Sequence, residues 1–313
     1  MKKNIFILSS SLLIFSIAYL TQFSTNWTML SILLPDFRLP RLFALFIAAI
    51  ALGVSGLLIQ TLTENPLADN GTLGITSGAS AGVVLCLLLI NLLKLPSSFK
   101  AVTPLFAILG GLIAFSLVYF LAIRRNLSNS KILLVGIGLT ALFQGFITIA
   151  QLSMNAFDFE QVAVWLAGDP WQVSYQLDVI MFIGLILVLL LIVFLSRKLE
   201  VLSLGEEVAV SLGLDTKRMR LYFYIFSLIL SIFSVLLVGG LAFVGLIAPH
   251  IARRLSGFHL RSRLLMTSLV AMILLLFADL VAQVIIRPSS LPLGFVVAFI
   301  GAPYYIYLIQ KDL

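Results

Sequence analysis

The side chains able to do chemistry are few, and their spacing limits what that chemistry is. Arg38 and Arg41 stand three apart around Pro40, a pair of cations at a rigid helix start. Thr140, Gln144, Thr148 and Gln151 recur at spacings of four, four and three, which places them on one face of a helix. Glu206 and Glu207 are adjacent acids at the head of a short segment, and Asp279 lies inside an apolar run with Gln283 one turn on. Such groups can dock a partner, line a route or hold a charge in lipid. They do not make a catalytic set. The sequence has no G-x-x-x-x-G-K-[ST] phosphate loop and no Ser-His-Asp or H-E-x-x-H pattern. Cys86 is the single cysteine, and His250 and His259 are the only histidines, so neither a disulfide nor metal-ligand spacing is available. The expectation is a chain that is not an enzyme and holds no metal or cofactor.

The elements that position these residues follow from composition. Hydrophobic residues make up 61% of the chain and charged residues 11%, whereas a soluble domain carries about 25% charged residues. The chain therefore reads as an all-α, polytopic membrane protein forming a single transmembrane domain over residues 1–313. Apolar runs fall at about residues 5–22, 39–62, 73–93, 101–123, 132–153, 176–196, 219–252, 264–286 and 291–309, each near or above spanning length. The first follows Met1-Lys2-Lys3 and resembles a signal peptide, but no small-residue cleavage site follows, so it reads as a retained helix. The run from 219 is too long for one helix, and Gly239-Gly240 breaks it. Leu241 to Ile251 then rises only about 16 Å, a half-length piece that survives only if other protein shields its ends.

Charge settles the count. With the N-terminus in the cytoplasm and the 219–252 run going out and back, Lys2, Lys3, Arg124, Arg125, Lys131, Arg197, Lys198, Lys217, Arg218, Arg220, Arg253, Arg254, Arg261, Arg263 and Lys311 all lie inside. Only Arg38, Arg41, Lys94, Lys100 and Arg287 lie outside. A single crossing would move Arg253, Arg254, Arg261 and Arg263 outside, against the positive-inside rule. Ten transmembrane segments, one a half-helix, with both termini cytoplasmic, is the expectation.

Each polar feature has a bland reading beside a functional one. Arg38 and Arg41 either snorkel to headgroups or present a fixed docking charge. The stripe from Thr140 to Gln151, opened at its inner end by Gly136 and Gly138, either bonds to neighbouring helices or lines a route, and the route is favoured. In the internal loop at about 197–220, Ser203 is expected to cap a short helix with Glu206 and Glu207 in its first turn. Val208, Leu212 and Val201 give it an apolar face, and Gly213 ends it. Its acids argue against lying on an anionic leaflet, so it reads as a knob for another protein. Asp279 is either functional or capped and hydrated, and His250, after Pro249, is a packing residue by default.

Between the second and third apolar runs lies Gln60-Thr61-Leu62-Thr63-Glu64-Asn65-Pro66-Leu67-Ala68-Asp69-Asn70-Gly71. Pro66 pushes Asn65 out of the helical region, so the incoming helix is expected to stop there. Gly74, Gly78 and Gly82 then recur on one face of the next helix, a ribbon that lets a neighbour approach closely. Turn and ribbon read either as an ordinary loop and packing helix or as a tight polar joint between spans.

Gly56 through Gly78, with Asn65-Pro66-Leu67-Ala68-Asp69 and Leu73-Gly74-Ile75-Thr76-Ser77-Gly78-Ala79, resembles the signature of FecCD-type permeases. These are membrane subunits of ABC importers for iron-siderophores, haem and vitamin B12. The likeness continues in Arg38-Leu39-Pro40-Arg41, in Leu204-Gly205-Glu206-Glu207 to Gly213 and in Phe243 to His250. It extends to Ala278-Asp279, to Leu291-Pro292-Leu293-Gly294 and to Gly301-Ala302-Pro303, covering nearly the whole chain in family order.

The resemblance implies ten helices per subunit, a homo- or heterodimer with the pore between permease subunits, and ATP hydrolysis on separate cytoplasmic ATP-binding subunits. Glu206, Glu207, Ala209, Leu212, Gly213 and Leu214 match the coupling helix that seats in the ATPase. Arg38 and Arg41 match external arginines that meet a substrate-binding protein. The third falls at Gln283, with Arg287 one turn on as its substitute. Asn65 and Leu67 match a cytoplasmic gate, and Ser128, Asn129 and Ser130 a second, with Asn129 replacing a threonine. Ser290 stands where the family has a glutamate. The implied function is import across the cell membrane, with a ferric siderophore ahead of haem or vitamin B12 as cargo. An ion-coupled secondary transporter using Asp279 and a non-transporting membrane subunit are the rival readings.

Overall fold

A computed structural model describes residues 2–21, 33–125, 127–168, 170, 175–257, 259–286 and 290–311. In chain order the helices are α1 (Lys2–Thr21), α2 (Leu39–Thr63), α3 (Ile75–Leu92), α4 (Thr103–Val118) and α5 (Asn129–Leu152). They continue with α6 (Ala156–Leu166), α7 (Tyr175–Phe194), α8 (Ser196–Leu202), α9 (Glu206–Ser211) and α10 (Thr216–Val238). The last are α11 (Val244–Leu255), α12 (Leu260–Ile285) and α13 (Leu293–Lys311). Among the described residues there is no strand, and nine helices are long and apolar enough to cross a membrane. The half-length α11 is additional to these. Gly239 (φ +73°) breaks the backbone after α10, as the Gly-Gly pair led one to expect.

Helix α2 is the hub. Its small residues let neighbours come within backbone distance: a side chain at Gly56 would collide with the Gly245 carbonyl of α11, and one at Gly53 would press on Thr267 and Ala271 of α12. Helices α7, α10, α11 and α12 pack around it, and Ala44, Ala48, Ala51 and Ser55 are fully buried. The ribbon on α3 splits its work. Gly78 and Gly82 face Gly110, Ala114 and Phe106 of α4, while Gly74 is the helix start and abuts Gly136 of α5. The outward faces carry Phe194, Phe299, Leu134 and Leu187, an apolar exterior suited to lipid.

Helices α6 and α8 are not among the sequence expectations. Asn155 caps α6, its Oδ1 accepting the Asp158 N–H at 2.9 Å. The end of α6 is clipped to the start of α13, where Leu293 and Gly294 N–H groups donate to Gly168 and Ala167 carbonyls at 2.7 and 2.9 Å.

Candidate functional site

The α2–α3 connection is built as a self-supporting joint. Helix α2 ends at Thr63, and Glu64 takes a left-handed conformation (φ +52°). Asn65 Oδ1 accepts the Leu67 N–H at 2.9 Å, the local turn that frees this residue from the helix. Asp69 and Thr72 bond reciprocally, Thr72 N–H to Asp69 Oδ1 at 2.9 Å and Asp69 N–H to Thr72 Oγ1 at 3.1 Å. Burial pushes the Asp69 carboxyl above its usual range, while backbone N–H groups of Thr72, Gly71 and Phe243 partly offset that.

This joint touches three parts of the bundle. Asn70 reaches into the core, where Ser55 Oγ donates to its Oδ1 at 2.7 Å. Leu67 packs against Leu246 and Ile247 of α11 and Leu308 of α13. Thr140 Oγ1 on α5 donates to the Gly71 carbonyl at 2.8 Å. So the backbone of the joint is tied to the first residue of the polar stripe.

The stripe itself divides. Gln144 and Thr148 are exposed, Thr140 and Gln151 half-buried, and Thr148 Oγ1 is turned back onto the Gln144 carbonyl at 3.0 Å. Gly138 and Gly145 look into open space. Gly136 does not open this face, contrary to expectation: it is filled by Thr72 and Leu73 of the joint. Ser128 holds the N-cap position of α5, with Asn129 and Ser130 in its first turn. Among the described residues no hydrogen bond joins these three to Asn65 or Leu67.

Helix α9 lies at the same end of the bundle. Its start is Gly205 (φ +101°), not Ser203, whose hydroxyl donates to the Glu200 carbonyl at 2.6 Å and closes α8 instead. The cap falls two residues later than expected because Ser203 is taken up by the end of α8. Gly213 (φ +78°) ends the turn as expected, with Leu214 N–H donating to the Ala209 carbonyl at 3.0 Å. Ala209 is fully buried, while Glu206, Glu207, Val208, Val210 and Leu212 are exposed. A small side chain seats the helix, and acids and aliphatics project from it. Arg220 of α10 stands between this helix and the joint, its Nη2 at 3.6 Å from Glu206 Oε2 and 3.6 Å from Glu64 Oε1.

At the opposite end Arg41 meets Asp279. Nη2 lies 2.6 Å from Oδ1 and Nε 3.2 Å from Oδ2, with the Asp279 side chain fully buried and that of Arg41 13% exposed. Tyr19 Oη and Gln283 Nε2 also donate to Oδ2, at 2.8 and 2.6 Å. Asp279 is thus a paired carboxylate joining α1, α2 and α12. Arg38 donates to the Leu20 carbonyl. Arg287 lies outside the described residues. His250 packs its ring against Tyr304, centroids 6.0 Å apart. A cleft of about 290 Å³ at this end is lined by Leu87, Asn91, Lys94, Lys100, Asp158 and Gln161; Lys94 and Lys100 are expected outside from the sequence, but none of these residues is among the expected site residues. Among the described residues no cluster of His, Cys, Asp or Glu could hold a metal ion.

The family model for the FecCD transport family matches residues 4–311. The chain belongs to the FecCD transport family. It is 34% identical to the iron(3+)-hydroxamate import system permease protein FhuG of Bacillus subtilis, over 88% of this chain and 83% of that one. It is 33% identical to the vitamin B12 import system permease protein BtuC of Vibrio vulnificus, over 98% of this chain and 91% of that one. A solved ABC transporter of the metal-chelate type, in an inward-facing conformation, superposes with a TM-score of 0.86 at 26% identity, covering 99% of both chains. Family membership and the apolar spans make this FecCD chain a multi-pass membrane protein.

Proposed function

We propose that this FecCD chain is the membrane permease subunit of a binding-protein-dependent ABC importer whose cargo is a ferric siderophore. FhuG and the metal-chelate transporter favour an iron chelate; BtuC keeps vitamin B12 as the second cargo, with haem behind it. The observation that carries the reading is the projecting helix α9, seated by Ala209 with Glu206, Glu207, Val208 and Leu212 turned outward. It supports a helix built to be gripped by a cytoplasmic ATP-binding subunit. A single domain over residues 1–313 then has ten segments, counting α11, with α9 and both termini on the cytoplasmic side, as the arginine and lysine distribution favours.

In this reading two permease subunits pair around a path lined by Thr140, Gln144, Thr148 and Gln151. Asn65 and Leu67, with Ser128, Asn129 and Ser130, close its cytoplasmic end. Arg38, Arg41 and Arg287 face the substrate-binding protein. For Arg41 the ion pair with Asp279 makes that role one of fixing the helix start rather than offering a free charge. ATP can shift such a machine only if its subunits bind one conformation better than another.

The test is uptake of a radiolabelled ferric hydroxamate into proteoliposomes containing the permease, its ATPase subunits and its binding protein. Uptake is expected only with all three and ATP. Uptake by the permease alone, driven by an ion gradient, would replace this reading with a secondary transporter working through Asp279.

A further inference from the structure

The gate and the coupling helix are far apart in sequence, yet one side chain spans them. Glu64 is the last residue before the gate residue Asn65, and Glu206 is the first residue of α9. Arg220 lies within 3.6 Å of both carboxylates through the same nitrogen, Nη2. The Arg220 side chain is 21% exposed, and the acids 51% and 54%. Partly exposed pairs of this kind contribute little to stability, so their meaning is geometric. Each acid would otherwise be free in water, and each is instead held on one cation that sits on the first turn-and-a-half of α10.

The Glu64 end of this bridge bears on the joint directly. Glu64 takes a left-handed conformation that a side chain with a Cβ rarely adopts. Non-glycine residues hold that conformation only where surrounding contacts enforce it. The backbone beyond it passes straight into Asn65, Leu67 and then Gly71, whose carbonyl is bonded to Thr140 of the stripe helix. A displacement of α9 therefore has a short, fully named route: Glu206, Arg220, Glu64, the joint, α5.

We propose that Arg220 is the positioning residue that transmits movement of α9 to the cytoplasmic gate, by carrying Glu64 with Glu206. The inference rests on α9 being the ATPase-gripped helix and deepens that reading. Arg220 touches no cargo and binds no nucleotide. Its work is to keep two acids, on two elements, in one ion-paired unit, so that the joint has different partners when α9 shifts.

The experiment uses the assembled transporter in proteoliposomes, on a Cys86→Ala background with Leu67→Cys as reporter. The rate of Leu67→Cys modification by a water-soluble maleimide is compared with and without ATP plus vanadate, alongside ATP hydrolysis. With Arg220 intact the rate is expected to change at least about fivefold between states, the lower end of ordinary allosteric coupling. Arg220→Ala and Glu64→Gln are each expected to abolish that difference while hydrolysis continues, and Arg220→Lys, which keeps a cation, to restore most of it. A nucleotide-driven change that persists in Arg220→Ala would overturn the proposal. Loss of hydrolysis in every variant would also overturn it, because Arg220 would then serve the grip on the ATPase rather than the link to the gate. No nucleotide-driven change even with Arg220 intact would instead strike the reading of α9. If Arg220→Ala fails to assemble, Glu64→Gln tests the same link from the gate side, where α9 is untouched.

Discussion

At the residue scale the most consequential group is Asp279, a carboxylate with no exposure that takes donors from Arg41, Tyr19 and Gln283. The sequence made the carboxylate and Gln283 visible, because they are one turn apart. It could not reveal Arg41 and Tyr19, which are 238 and 260 positions away and share no local pattern with it. Removing one partner of a buried pair strands the other charge, at a cost of about 3–5 kcal/mol. Asp279→Ala is therefore expected to lower the melting midpoint in detergent strongly, read by the loss of the monodisperse chromatographic peak after heating. The double variant Asp279→Leu with Arg41→Met is expected to recover much of it. Equal losses in the single and double variants would mean that the pair contributes nothing as a pair. Tyr19 is also the one buried residue described on α1, so the same carboxylate anchors that helix to the bundle.

At the scale of elements, helices long enough to span were legible from apolar runs, and the break at Gly239 and the stop before Asn65 from turn chemistry. What escaped were short helices. The segment from Ala156 has an N-cap signature in Asn155 and Asp158, but its apolar periodicity is too brief to stand out. Missing α8 displaced the expected start of α9 by two residues, from Ser203 to Gly205. The stripe on α5 was legible as a face, but which glycine opened it was not, since Gly136 is filled by a loop some sixty positions away, at Thr72. Cysteines at Gln144 and Thr148 are expected to react with a water-soluble thiol reagent in at least one transport state, and one at Ile147, which is buried, to stay inert. Native Cys86 is buried, which keeps the background low. No reaction at Gln144 or Thr148 in any state would make the stripe a lipid- or protein-packed face.

At the scale of the molecule the two ends do different work. One carries Arg38, Arg41 and the clipped helix α6; the other carries α9, the joint and the Arg220 bridge. Between them α2 packs against α7, α10, α11 and α12, with a close backbone approach to α11 at Gly56 and a tight contact with α12 at Gly53, so a shift at one end meets a close-packed hub on its way. In the proposed reading the source of work lies outside this chain and is delivered through α9. The measurement that bears on this most directly is ATP hydrolysis by the reconstituted complex, with and without cargo-loaded binding protein, for Glu206→Lys with Glu207→Lys. Loss of the stimulation, or loss of the ATPase from the purified complex, is the expected result. Stimulation equal to that of the unmodified transporter, with uptake unchanged, would contradict it.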